Sequence, residues 1–268
     1  CVELTKLVLG TLGLNEYRVR IGLRGPNADK YVGQAANWNM AEQNIRNTVR
    51  KLNMNYVEES GEAAFYGPKI DFDVVDSLGR RWQCPTIQLD FQLPRRFDLT
   101  YTDADNTAKT PIVVHRAVFG SLERFIGILI EHVAGAFPTW LAPVQCVFLP
   151  INDDLAAHCH EAAARMRERG IRVEVDDRSE KLGYKIRAAE IHKTPYMVVV
   201  GQKEVDAGVL AVRTYRDGDR GKMGYEDLES EILQKIETRE FDVTLKTIEW
   251  STDGGPDDEP IGSGVEGY

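Results

Sequence analysis

The segment Phe65-Tyr66-Gly67-Pro68-Lys69 sets a phenol and an ammonium on either side of a Gly-Pro corner. A lysine ammonium is a compact donor suited to an anionic or carboxylate ligand. The plainer reading is a turn that carries a solvated lysine. Further on, RWQCPTIQLDF (81–91) holds two amides, Gln83 and Gln88. An amide offers donor and acceptor together, which suits recognition of an amino acid or a nucleobase. Five residues apart, the two fall on opposite faces of a regular strand, although Pro85 is able to break that register. As surface glutamines they would need no ligand at all.

HRAVFGSLERF (115–125) adds His115 near a strand end, Gly120 at a turn, Ser121 as a helix N-cap and Arg124 in the first helical turn. Arg124 heads an apolar run, and a guanidinium at the mouth of a core is costly unless it faces an anion or stacks on a planar ring. His115 alone reads more readily as a satisfied histidine than as a metal ligand. His158-Cys159-His160 has the composition of a metal site, but adjacent helical positions point apart. Later, Arg178, Lys181, Lys185, Arg187 and Lys193 fall on or near one helix, with Arg213, Arg216, Arg220 and Lys222 following. They form either a phosphate-contacting face or an ordinary solvated one.

Periodicity supplies the elements that must position these groups. Residues 2–12 and 39–52 have helical spacing, and YRVRIGL between them alternates as a strand does. KIDFDVVD and RWQCPTIQLDF form a hairpin reversed at Ser77-Leu78-Gly79; PIVVHRAVF is another strand and SLERFIGILIEHVAG a buried amphipathic helix. Helices around a mainly antiparallel sheet make residues 1–138 an α+β unit. FPTWLAPV breaks the helix, so residues 139–143 read as a linker. Residues 144–240 then follow a β-α-β-α-β-β-α order, which implies an α/β domain with a mostly parallel sheet.

Composition limits the classes available. At 43% hydrophobic and 28% charged the sequence is ordinary globular material, long enough for two modest domains. No apolar run approaches the roughly 18 residues of a membrane span, and no secretory pattern opens the chain. Four scattered cysteines suit a reducing compartment. The 33 Lys and Arg against 42 Asp and Glu give a net charge of −9, and residues 241–268 carry one base against seven acids. That Gly-, Asp- and Pro-rich stretch reads as an acidic, disordered tail. The first residue is Cys, so the expectation is a processed chain or a fragment.

In this order, AFYGPKIDF (64–72), WQCPTIQLDF (82–91), PIVVHRAVFGSLERFIGILIEH (111–132), FPTWLAP (137–143), RSEKLGYKIRAAE (178–190), TPYMVVVGQKEV (194–205) and LAVRTYR (210–216) resemble the C-terminal part of the threonyl-tRNA synthetase family. The resemblance covers residues 1–240. It implies the later part of a class II antiparallel catalytic domain, then an α/β anticodon-binding domain. It also implies ATP-dependent activation of threonine and its transfer to tRNA(Thr), with Mg2+ at the phosphates, in a cytoplasmic homodimer. By position in the motifs, Gln83, Ser121 and Arg124 would meet ATP; Tyr66, Lys69 and Gln88 would surround threonine; His115 would be one ligand of a zinc ion; and Glu204 and Arg213 would lie near the anticodon.

Several departures accompany the resemblance. Class II motifs 1 and 2, the other zinc ligands and an editing domain are absent from the sequence, Pro85 stands where many relatives have glycine, and Ser179 replaces a frequent asparagine. One ligand of three cannot hold zinc tightly. The 268 residues alone are therefore expected not to aminoacylate. The rivals are a truncated, non-catalytic paralogue that binds tRNA or a partner, and a ligase of prolyl type.

Overall fold

The computed structural model describes residues 1–76 and 78–243. The first half runs α1 (Val2–Thr11), β1 (Tyr17–Leu23), α2 (Ala35–Lys51), β2 (Tyr56–Ser60), β3 (Lys69–Val75) and β4 (Arg81–Asp90). It continues with a short helix α3 (Leu93–Arg96), a small hairpin β5 (Tyr101–Thr102) and β6 (Ala108–Lys109), then β7 (Val113–Ala117) and α4 (Leu122–His132). Five strands form a sheet in the order β2-β1-β3-β4-β7, antiparallel except for the β1–β2 pair. This is the α+β unit expected from the sequence.

Alternation divides the sheet into two faces. Val19 and Ile21 on β1, Ile70, Phe72 and Val74 on β3, and Cys84 and Ile87 on β4 enter one core with Leu9, Ile45, Val49, Phe125 and Ile128 from the helices. Burial of such side chains contributes about 1.5–3 kcal/mol each. The opposite face carries Arg20, Lys69, Asp71, Asp73 and Gln88, and those residues make the site described below. Helix α4 is only half buried: Phe125, Ile128 and Leu129 face the core while Leu122, Ile126 and Ile130 are exposed.

The second half comprises β8 (Cys146–Pro150), α5 (Ala156–Glu168), β9 (Val173–Val175), α6 (Leu182–Ile191), β10 (Tyr196–Val200), α7 (Gln202–Ala207), β11 (Leu210–Thr214), β12 (Gly218–Met223) and α8 (Tyr225–Thr238). The order is β12-β11-β10-β8-β9. Strand β8 pairs in parallel with β9 and β10, whereas β10, β11 and β12 are antiparallel. The sheet is thus evenly mixed, which corrects the mostly parallel expectation: β11 runs antiparallel to β10, and the hairpin into β12 adds a further antiparallel strand where the sequence suggested none. Burial on both faces explains the nearly continuous apolar text of β8 and β10.

The expected linker is an ordered joint. Gln145, fully buried, donates to Thr139 O at 2.9 Å and accepts from Arg172 N–H at 2.9 Å. Arg172 also donates to the carbonyls of Ala142 and Trp140 at 2.9 and 2.7 Å. Residues 241–243, the start of the stretch expected to be a disordered tail, pack against the fold instead. Phe241 packs on the first core beside Gly13 and His132, and Asp242 binds Thr139, Lys235 and Arg216. Residues 244–268, the rest of that stretch, lie outside the described residues.

Candidate functional site

Lys69, Gln88 and His115 form one row across three adjacent strands, because Gln88 pairs with Lys69 on β3 and with His115 on β7. Directly opposed residues in an antiparallel ladder point to the same face, with Cβ atoms about 5 Å apart. Tyr66 closes the row from above: its hydroxyl bonds Gln88 Oε1 and its ring stands edge-on to His115, 5.8 Å between centroids. Burial, with the Asp90 carboxylate second, holds the Tyr66 phenol above its ordinary pKa, so it remains a donor. Gly67 is required here by space, since a Cβ would lie 1.6 Å from Leu89 O. The sequence-predicted threonine-contacting residues and His115 are therefore brought together.

Gln83 joins them through a β-bulge. The pairing passes from Asp71–Thr86 to Asp73–Gln83, so Cys84 and Pro85 together oppose Phe72. The extra residue turns Gln83 to the same face as Gln88, which corrects the opposite-face expectation. Pro85, having no N–H to pair, suits the bulge. Gln83 Nε2 donates to Asp71 Oδ1 at 2.8 Å and to Thr86 Oγ1 at 3.3 Å, and its backbone carbonyl accepts from Arg124 at 2.8 Å. Arg124 is exposed, so the expected buried guanidinium is corrected. Its charge stays in water while one nitrogen is tethered. Ser121 caps α4, accepting from Arg124 N–H at 3.4 Å, and Gly120, at φ 68°, seats that turn against Cys84 O.

Buried charges under this face escaped the sequence reading. Asp71 and Asp90 are 0% exposed and Asp73 6%. Asp71 Oδ2 lies 2.8 Å from Lys69 Nζ; Asp73 Oδ2 lies 2.6 Å from Arg20 Nε, and Arg20 also pairs with Glu59 at 2.5 Å. Burial raises the Asp73 pKa even with Arg20 adjacent. Asp90 Oδ2 sits 2.8 Å from His115 Nε2 while its Oδ1 accepts from the N–H groups of Gln92 and Leu93. A signal was present in the text: KIDFD places a charge at every second position of a strand otherwise fully apolar.

In the second half, Glu204 lies 3.5 Å from Lys222, and Arg213 lies within 4.0 Å of Glu190 and Asp219. The two residues engage different partners. The basic cluster is divided as well. Lys185 is buried and donates to Pro150 O at 3.0 Å, Arg178 forks onto Asp176, Arg220 pairs with Glu231, and Lys193 bonds Ala134 O. Only Lys181 and Arg187 of the helical set remain outward without such a partner among the described contacts. His158 bonds the Tyr225 hydroxyl and His160 Asp177, each at 2.8 Å, so they diverge around buried Cys159.

Two family models match the chain: the tRNA synthetase class II core domain (G, H, P, S and T) over residues 1–133 and the anticodon binding domain over residues 145–235. The sequence is 49% identical over 248 residues to a threonine--tRNA ligase of Chloroherpeton thalassium and 50% identical over 222 residues to one of Thermus thermophilus. The chain belongs to the threonyl-tRNA synthetase family. Those alignments cover 92% and 83% of this chain but 37% and 34% of the relatives, so it spans about a third of their length. A crystal structure titled as the RNA binding domain of threonyl-tRNA synthetase from Cryptosporidium parvum superposes with a TM-score of 0.80 at 29% identity. It covers 90% of this chain and 59% of that one. Within the family frame, the polar face belongs to the class II core, and Glu204 and Arg213 to the anticodon-binding domain. Among the described residues no helix is long and apolar enough to cross a membrane.

Proposed function

We propose that this chain supplies one wall of the threonine and ATP site of a threonine–tRNA ligase, together with the domain that holds the anticodon of tRNA(Thr). The reaction is attack of the threonine carboxylate on the α-phosphate of ATP, releasing pyrophosphate, followed by attack of a terminal ribose hydroxyl of the tRNA on the acyl carbon of the adenylate, releasing AMP. The observation that carries this reading is the row Lys69–Gln88–His115 with Tyr66 over it, on the same face as Gln83. Such a row offers an ammonium to a carboxylate and fixed polar groups to a small hydroxy amino acid. Arg124 and Ser121 border the same face, where a nucleotide would extend from the threonine carboxylate. Preorganised donors of this kind act by positioning and by stabilising developing charge. A site that hydrogen-bonds a substrate hydroxyl also discriminates far better than an apolar pocket does.

Magnesium would enter with ATP as part of the nucleotide substrate. Zinc is a different matter. Among the described residues no group of three His, Cys, Asp or Glu side chains is arranged to hold a metal, and Asp90 already takes Nε2 of His115. A zinc site needs at least three protein donors. The described residues do not fit a zinc ion by themselves, and no step is assigned to one. In the whole ligase, a cytoplasmic homodimer is the assembly this reading favours.

The test is isothermal titration of the 268-residue chain with a non-hydrolysable threonyl-adenylate analogue and, separately, with the tRNA(Thr) anticodon stem-loop. Binding of the analogue in preference to its prolyl counterpart supports the ligase reading. Stem-loop binding that weakens when an anticodon base is changed supports the second role. Stem-loop binding with no affinity for the analogue would favour a non-catalytic tRNA-binding protein.

A further inference from the structure

We infer that Asp71 is the positioning residue that couples the two ends of this site, a role that rests on the ligase reading above. One carboxylate, fully withdrawn from solvent, engages groups from both ends. Its Oδ1 accepts from Gln83 Nε2 and from Thr86 Oγ1, each at 2.8 Å. Its Oδ2 lies 2.8 Å from Lys69 Nζ, in an ion pair off the line of a hydrogen bond, and 3.7 Å from Arg20. Lys69 stands at the threonine end of the face. Gln83 stands at the nucleotide end, and its carbonyl tethers Arg124.

Three features make this more than burial of a charge. Asp71 is opposed to Thr86 in the ladder, so the hydroxyl that fixes its first oxygen is held by the strand pairing itself. The bulge at Cys84-Pro85 is what brings Gln83 within reach; without it the amide would point into the apolar core. Arg20, anchored by Glu59 and Asp73, closes the far side and lies 3.4 Å from Gln83 Oε1. Lys69 and Gln83 thus engage the two oxygens of one carboxylate that is withdrawn from solvent. Movement of the ammonium toward a bound carboxylate changes the charge balance at Asp71, and the side-chain amide of Gln83, the residue whose backbone carbonyl tethers Arg124, feels that change. Residues joined in one such network show non-additive effects when altered singly and together.

The experiment is a double-mutant cycle of Lys69→Met and Gln83→Leu in the 268-residue chain, read as the dissociation constant of the threonyl-adenylate analogue, then repeated in the Asp71→Asn background. Far-ultraviolet circular dichroism confirms folding of each variant. The expected result is that the double variant departs from the product of the single effects by about tenfold, and that this departure vanishes with Asp71→Asn. A merely structural Asp71 would lower stability in that background and leave the departure as it was. Multiplicative effects of Lys69→Met and Gln83→Leu in the native background would overturn the inference even if Asp71→Asn does not fold. A departure that persists in Asp71→Asn would overturn it too. Absence of analogue binding by the unmodified chain would overturn the ligase reading along with it, so the two failures are distinguishable.

Discussion

Asp242 accepts two hydrogen bonds from Thr139, at 3.1 Å from the backbone N–H and 2.8 Å from the hydroxyl, across 103 positions of sequence. The same carboxylate takes Lys235 and Arg216 at 3.0 Å each, and Arg216 reaches on to the carbonyls of Ala136 and Phe137. The end of α8, the joint between the halves and the first core therefore meet at one half-buried acid. Phe241, the preceding residue, fills the space beside Gly13.

The pH dependence of stability follows from that acid. Burial alone would raise the Asp242 pKa, but Thr139, Lys235 and Arg216 overcome it and hold the carboxyl below its ordinary range. An acid depressed in the folded state contributes stability that is present above its unfolded pKa, about 3.9, and is lost as pH falls through the folded value. Urea unfolding midpoints should drop as the buffer is taken from pH 5 towards pH 3. Asp242→Asn should flatten that slope and cost on the order of 2 kcal/mol at neutral pH.

Arg216 and Arg220 offer a paired comparison. Arg216 bonds two carbonyls of the joint and Asp242, whereas Arg220 pairs with Glu231 within the second half. Arg216→Ala should cost about 1–3 kcal/mol by leaving polar partners unmet, and should open residues 133–145 to limited proteolysis. Arg220→Ala should cost about 0–1 kcal/mol and leave the cleavage pattern unchanged.

At Gly67 a methyl group cannot be accommodated, with its carbon 1.6 Å from a backbone oxygen. Gly67→Ala should cost about 3 kcal/mol or more by urea denaturation, the upper end of what overpacking does. Because the displaced strand carries Gln88, it should also abolish whatever binding the unmodified chain shows for the adenylate analogue.

Thiol chemistry offers an independent check on burial. Cys84, Cys146 and Cys159 are buried and Cys1 is exposed. Burial pushes the Cys159 thiol up to about 11, and Cys84 and Cys146 are raised by the same cause. With Ellman's reagent at pH 8, Cys1 should react at once and the other three only on unfolding, since the thiolate is the reactive form. Prompt reaction of a second thiol would contradict the packing of these strands.

Much of this architecture was legible in the text. The alternation of YRVRIGL and KIDFDVVD gave β1 and β3, Ser121 marked the start of α4, and the ordered motifs gave the family. What escaped was set by pairing and by contacts distant in sequence. YVEES (56–60) carries too little apolar signal to announce an edge strand. The face presented by Gln83 depends on one unpaired residue, and the exposure of Arg124 on its tether to a strand outside its own helix. The roles of Lys185 and Arg216 depend on carbonyls 35 and about 80 residues away. A basic residue in sequence does not reveal whether its charge is already spent inside the fold.

The bulge at Cys84-Pro85 makes the site depend on a count as well as on residue types. Gln88 and Gln83 occupy positions of opposite parity, and only the single supernumerary residue between them reconciles the two. If the same residues paired as a regular strand, every functional side chain would remain in the sequence, yet the nucleotide-end amide would enter the apolar layer and Cys84 would turn outward. In this strand the frame of the alternation is itself part of the recognition chemistry, set by the bulge and not by residue types alone.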